Sequence, residues 1–185
     1  MRSFSILALL LLPLMASQPL DRAPKGPPRV VSVSQTLAKM KDNSAYFEAL
    51  VATKMEIALD GPGGYPYVNY SVFAPTNAAM ARLKSGNMAY LFTPGQQRKL
   101  QSVLAFSMVT DAKPQLTLRD GQLLHTTHNL MSLRVVQRGG RTWLTGGTAE
   151  PLELKAKPVV CDNGSIYVID EVLLPPARPT AATAR

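Results

Sequence analysis

Chemistry that needs a nucleophile, a general base or a metal has little to draw on in this chain. There are two histidines, His125 and His128, and one cysteine, Cys161. In an extended strand a spacing of three puts two side chains on opposite faces, so the histidines are badly placed to chelate one ion between them. No Gly-x-Ser-x-Gly elbow and no phosphate-cradling loop ending in Gly-Lys-Ser or Gly-Lys-Thr occurs. The residues therefore point away from an enzyme, and no catalytic residue, metal ligand or cofactor is assigned. A lone cysteine cannot close an intrachain disulfide; in an oxidising compartment it is either buried and inert or bonded to another chain. Val159 and Val160 beside it favour burial.

Chemistry of contact is better supplied. Tyr65, Tyr67 and Tyr70 stand in the glycine- and proline-rich segment Asp60 to Tyr70, and aromatic faces give wide contact with sugar rings or an apolar partner at little rotamer cost. Tyr70, directly before an apolar run, reads rather as core, and Tyr65 and Tyr67 on the loop as the contact residues. Arg119, Arg134, Arg138, Arg141, Lys155 and Lys157 gather in the second half, several near turns, where they suit a basic patch for anionic polymers or a solvated rim. Asn69-Tyr70-Ser71 and Asn163-Gly164-Ser165 fit the glycosylation tripeptide. Such tripeptides arise by chance, and neither is assigned.

The elements that must position these residues fall into two halves. Gln35 to Met40 reads as a short helix, and Asn43 or Ser44 caps a second in which Phe47, Leu50 and Val51 share a face. The run Ser71 to Ala74 is a short strand, and Thr76 caps a helix from Asn77 to about Leu83. Thr93, Pro94 and Gln96 form a capping box before a helix whose buried stripe is Leu100, Val103 and Leu104. Beyond Phe106, short β-type runs alternate with turn signals at Asp120-Gly121, Gly139-Gly140, Gly146-Gly147 and Asn163-Gly164. Helices first and mostly antiparallel strands second make an α+β domain.

With 185 residues, 46% of them hydrophobic, the chain has material for one sizeable core. Met1-Arg2-Ser3 followed by the apolar run Phe4 to Met15 has the form of a secretory signal peptide. The expected organisation is a leader over 1–17, a proline-rich linker over 18–29, a folded domain over 30–176 and a disordered tail over 177–185. No later stretch approaches the roughly 18 apolar residues of a membrane span, and no cysteine stands at the cleavage site to carry a lipid. The formal charge of +8 favours acidic polysaccharides, anionic lipid headgroups or cell-wall polymers as partners. Nucleic acid is excluded by the exported compartment.

Two stretches carry a family resemblance. The run from Tyr70 to Met80, with Phe73-Ala74-Pro75-Thr76-Asn77 at its centre, resembles the first signature of fasciclin-like domains. Asn163 to Pro175, including Gly164, Ile166, Val168, Asp170, Leu173 and Pro175, resembles the second, and the likeness extends over about Val30 to Pro176. The bottom-up reading of both is structural: Phe73 buries, Pro75 and Thr76 start a helix, Gly164 turns the chain, and Ile166, Val168 and Val172 suit buried strand positions.

The resemblance implies a wedge of antiparallel sheets with a helical N-terminal half packed against it, and an adhesion or matrix-interaction role. Where the family usually carries Tyr-His after the long helix, this chain has Phe106-Ser107, which become binding candidates without the imidazole. Integrin-binding members carry Asp-Ile before the second signature; Lys157-Pro158-Val159-Val160-Cys161 has no acid there, so integrin recognition does not carry over. The expected function is an exported binding module for a cell-surface, envelope or matrix component, protein or anionic glycan. The competing expectations are a small-molecule carrier or enzyme with a pocket between helices and sheet, and homotypic scaffolding by self-association.

Overall fold

A computed structural model describes residues 31–61, 68–111, 113, 115–128 and 131–176. The expected leader, linker and tail lie outside the described residues. Helix α1 (Val33–Leu37) starts two residues before the expected Gln35, because the Ser32 hydroxyl accepts the Gln35 N–H at 3.1 Å and caps it. A 3-10 turn, Lys41–Asn43, leads into α2 (Ser44–Thr53). The α2 core face is Tyr46, Ala49, Leu50 and Thr53, not the expected Val51, which is 46% exposed. A second 3-10 turn (Glu56–Leu59) precedes strand β1 (Asn69–Pro75) and helix α3 (Asn77–Ser85).

A third 3-10 turn, Ala89–Phe92, runs toward α4 (Gln97–Phe106). The predicted capping box does not form. The Thr93 hydroxyl donates back to the Tyr90 carbonyl at 2.6 Å, and Gly95 turns the chain at φ +88°, so the helix begins at Gln97 without a side-chain cap. Its buried stripe of Leu100, Val103 and Leu104 is the expected one, continued by Phe106.

The remaining strands are β2 (Met108–Asp111), β3 (Leu123–His125), β4 (Ser132–Arg138), β5 (Arg141–Thr145), β6 (Leu152–Glu153), β7 (Val159–Cys161) and β8 (Gly164–Ile169). They form two four-stranded sheets, in the orders β2-β1-β8-β7 and β3-β4-β5-β6. The second is antiparallel throughout, whereas the central pair of the first, β1 and β8, is parallel. A parallel pair cannot be joined by a hairpin, and here the connection is nearly the whole domain.

The first sheet is the middle of three layers. Val72, Ala74, Met108, Cys161 and Ile166 belong to one apolar cluster with α1, α2, α3 and α4. Phe73, Val109, Tyr167 and Ile169 belong to another with Leu124, Leu133, Val135 and Leu144 of the second sheet. Alternation along β1 and β8 thus feeds two cores, and both strands are buried almost end to end, as strands covered on both faces must be.

Glycine at 164 is a packing requirement. A Cβ there would stand 1.9 Å from the Tyr70 carbonyl oxygen and 2.8 Å from its carbon, both backbone atoms. Gly164→Ala is expected to cost about 3 kcal/mol or more, lowering the melting temperature by roughly 6–12 °C in a domain of this size. Gly140→Ala at the β4–β5 hairpin, where an added Cβ meets nothing within 4 Å and only φ +74° opposes it, should cost about 1 kcal/mol. Thermal and urea unfolding of both variants checks the difference; equal losses would remove the close-approach explanation.

Candidate functional site

The signature residues are engaged in holding the fold. The Thr76 hydroxyl caps α3 by accepting the Ala79 N–H at 3.3 Å, while the Thr76 N–H donates to the Ile169 carbonyl at 3.0 Å. Asn77 reaches across to α2: its oxygen accepts the Ala45 N–H at 2.9 Å and its amide donates to the Lys41 carbonyl at 2.8 Å. Asn43, expected to cap α2, points inward and donates to the carbonyls of Ala74 and Pro75 at 3.1 and 2.9 Å. Ile166 and Leu173 are fully buried, Val168 and Pro175 partly so. Val172 is half-buried and lies beyond β8.

Sequence reasoning treats Asn163 as a turn residue and misses its larger part. Its side chain, 1% exposed, accepts the Val33 N–H at 2.8 Å and donates to the carbonyls of Leu59 and Gly61 at 2.9 and 2.8 Å. It ties α1, the second 3-10 turn and the start of β8 together. Both tripeptide asparagines are buried in the folded domain, Asn69 at 8% and Asn163 at 1% exposure.

Phe106 and Ser107 do not reach a surface, which corrects their reading as contact residues. Phe106 is fully buried against the second core, and Ser107 is buried with its hydroxyl 2.7 Å from the Tyr46 hydroxyl and 2.7 Å from the Leu104 carbonyl. Burial drives the Tyr46 phenol well above its ordinary pKa, against the lowering effect of the Ser107 hydrogen bond. Tyr70 is half-buried and packs on the helical core. Tyr65 and Tyr67 lie outside the described residues.

The basic residues divide. On the second sheet, cross-strand partners Arg138 and Arg141, Val136 and Trp143, and Arg134 and Thr145 share the face turned away from the core. Arg134, Arg138 and Arg141 are exposed there and Trp143 is half-buried. Trp143 is the chain's single tryptophan, and its place becomes visible only once the β4–β5 register is known. Leu123, 48% exposed, pairs with Arg134 on the same face. Glu153 opposes Trp143 and lies 3.6 Å from Arg141, so one acid faces three arginines. Arg119 stands at the turn beside this sheet, its carbonyl accepting the N–H of Gln122, whose own carbonyl accepts the Val135 N–H of β4. Lys155 is drawn away by Asp170, 2.8 Å from its ammonium, and the exposed Lys157 stands beyond it on the link to β7.

His125 lies on β3 with its Nδ1 3.0 Å from the Ser132 hydroxyl. His128 is past the end of that strand, edge-on to the Phe106 ring at a centroid distance of 6.3 Å, so the strand-alternation reasoning applies to His125 alone. Among the described residues no three of His, Cys, Asp and Glu gather as a metal site would require, and no helix is long and apolar enough to cross a membrane.

A second feature is a groove of about 570 Å3 between the helical half and the second sheet. α4 and the Ala89–Phe92 turn form one side, and residues 146–149 and 174–176 the other.

Residues 41–175 match the model of the fasciclin domain. The chain belongs to the fasciclin domain family. This fasciclin domain is 30% identical to human Stabilin-1 over 84% of its own length but only 6% of that protein's. It is 31% identical to the immunogenic protein MPB70 of Mycobacterium bovis, over 83% of this chain and 77% of that one. Among solved structures, the insect cell adhesion molecule fasciclin I, in the form of a FAS1 domain pair, superposes with a TM-score of 0.58 at 20% identity, over 77% of this chain and 50% of that one. That likeness is one of fold.

Cys161 tests how closed the first sheet's edge is in this fasciclin domain. The thiol is buried, lies 3.2 Å from the Thr36 hydroxyl, and has its pKa raised, chiefly by burial. A raised thiol pKa leaves less of the reactive thiolate at any given pH. Folded protein at pH 8 is expected to react with a thiol-specific disulfide reagent at least about tenfold more slowly than the same protein in 8 M urea. Equal rates would show the thiol to be open.

Proposed function

We propose that this fasciclin domain is an exported binding module that holds an anionic polysaccharide of a cell envelope or extracellular matrix on the outward face of its second sheet. The observation that carries the reading is the grouping of Arg134, Arg138 and Arg141 around Trp143 on a sheet face covered by no described element. Guanidinium groups form paired hydrogen bonds with carboxylates and sulfates, and an indole beside them offers a stacking surface for sugar rings. The leader-like N-terminus supports export, and the adhesion role named for the insect relative supports binding rather than catalysis. Self-association is the competing reading, favoured by Val159 and Val160, 40% and 54% exposed on the edge strand β7.

The test is a titration of purified mature protein with an anionic and a neutral polysaccharide at two salt concentrations, followed by Trp143 emission. Saturable binding of the anionic polymer that weakens with salt, with a change in emission, is the expected result. Replacing Arg134, Arg138 and Arg141 together by Gln should lower affinity roughly tenfold, each exposed charge contact being worth about 0.2–1 kcal/mol. Binding that ignores both salt and the triple replacement would sink the assignment to this face. A concentration-dependent dimer on a sizing column, with no glycan bound, would shift the reading to self-association.

A further inference from the structure

The groove beside α4 has a composition unlike the arginine face and shares no residue with it. Met88, Val103, Leu174 and Pro175 make it apolar, and Leu91 and Val103 at its base are core residues, 3% and 7% exposed. Its volume of about 570 Å3 falls within the range of about 300–1,000 Å3 typical of small-ligand sites. Among the described lining residues a single side chain is charged, Lys99, and its ammonium rests over the Tyr90 ring, 5.2 Å from the centroid. No carboxylate among the described residues pairs with it.

The two aliphatic hydroxyls of the lining are spent locally, which leaves the Tyr90 phenol as its one other side-chain polar group. The Ser102 hydroxyl donates to the Arg98 carbonyl at 3.0 Å, and the Thr148 hydroxyl donates to the Glu150 carbonyl. A ligand therefore meets an aliphatic trough with one cationic donor at its rim. Tyr90, the one aromatic ring of the lining, has the Lys99 ammonium over its face, which disfavours a flat aromatic guest. A flexible alkyl chain fills such a trough, and a terminal carboxylate answers the ammonium.

We infer that this groove binds a single-chain fatty acid, its alkyl chain laid between α4 and residues 146–149 and its carboxylate at Lys99. The site gives the domain a second ligand class, and it stands or falls separately from the glycan reading because none of the arginines is involved. Lys99 and Ala149 are both exposed, so substitutions there leave the cores intact.

The experiment is a fluorescence-displacement titration of the full mature chain with saturated fatty acids of increasing length and the matching alcohols. Saturable one-to-one binding is expected, with affinity rising by up to roughly fourfold per added methylene until the groove is full. Lys99→Gln should weaken the acids about three- to fivefold and leave the alcohols unchanged. Ala149→Trp, which fills the groove from its rim, should abolish binding of both while polysaccharide binding persists. Failure of the acids to saturate, binding that survives Ala149→Trp, or equal effects of Lys99→Gln on acids and alcohols would each overturn the inference.

Discussion

Everything else in this domain depends on one contact: the parallel pairing of β1 with β8, in which Gly164 lies against the backbone of Tyr70. The pair aligns Ser71 with Ser165, 94 residues apart, and their hydroxyls meet at 2.9 Å in the buried sheet. From that register follow Val72 beside Ile166 on the helical side and Phe73 beside Tyr167 on the other, the two rings tilted at a centroid distance of 5.2 Å. A slip of one residue would exchange the two faces and send each side chain into the wrong core. Gly164 guards against the slip because only a residue without a Cβ fits where the Tyr70 carbonyl sits.

The two sequence signatures are thus two halves of a single device. Each is legible as a local pattern: an apolar strand ending in Pro-Thr, and a glycine turn before a β-branched run. What pairs them is nonlocal, and neither periodicity nor turn chemistry states that strands so far apart in sequence lie side by side. The helix-then-strand order and the Leu100, Val103, Leu104 stripe are readable because apolar spacing encodes which face is buried. Val51 and Thr93 are misread for the complementary reason. Val51 falls at an apolar position that tertiary packing leaves outside, and the Thr93 hydroxyl closes the preceding turn instead of opening the next helix.

Polar residues were the harder half to read. Asn43, Asn77 and Asn163 are ordinary turn and cap residues in the sequence, yet each side chain bonds the backbone of an element far away in the chain. Such bonds satisfy buried carbonyls and N–H groups that no secondary structure reaches. Phe106-Ser107 illustrates the same point. A hydroxyl stands where the family usually has an imidazole, and it serves a buried hydrogen bond to Tyr46, worth about 1 kcal/mol net but costly to leave half-made.

Of the candidate contact residues, the arginines were legible as a cluster but not as a face. Their side depends on the β4–β5 register, which also brings in Trp143. The expectation of a pocket between helices and sheet comes without residues, because the walls of the groove are drawn from four separate stretches of chain. Both surfaces share a property that follows from the central pair. The residues that make the register are buried or spent on the backbone, and those available to a partner sit on the outer sheet face and at the seam between layers. Substitution at Arg134, Trp143 or Lys99 changes contact chemistry without touching the β1–β8 register. Replacing Gly164 or Asn163 reaches the register itself and weakens the fold on which the other residues act.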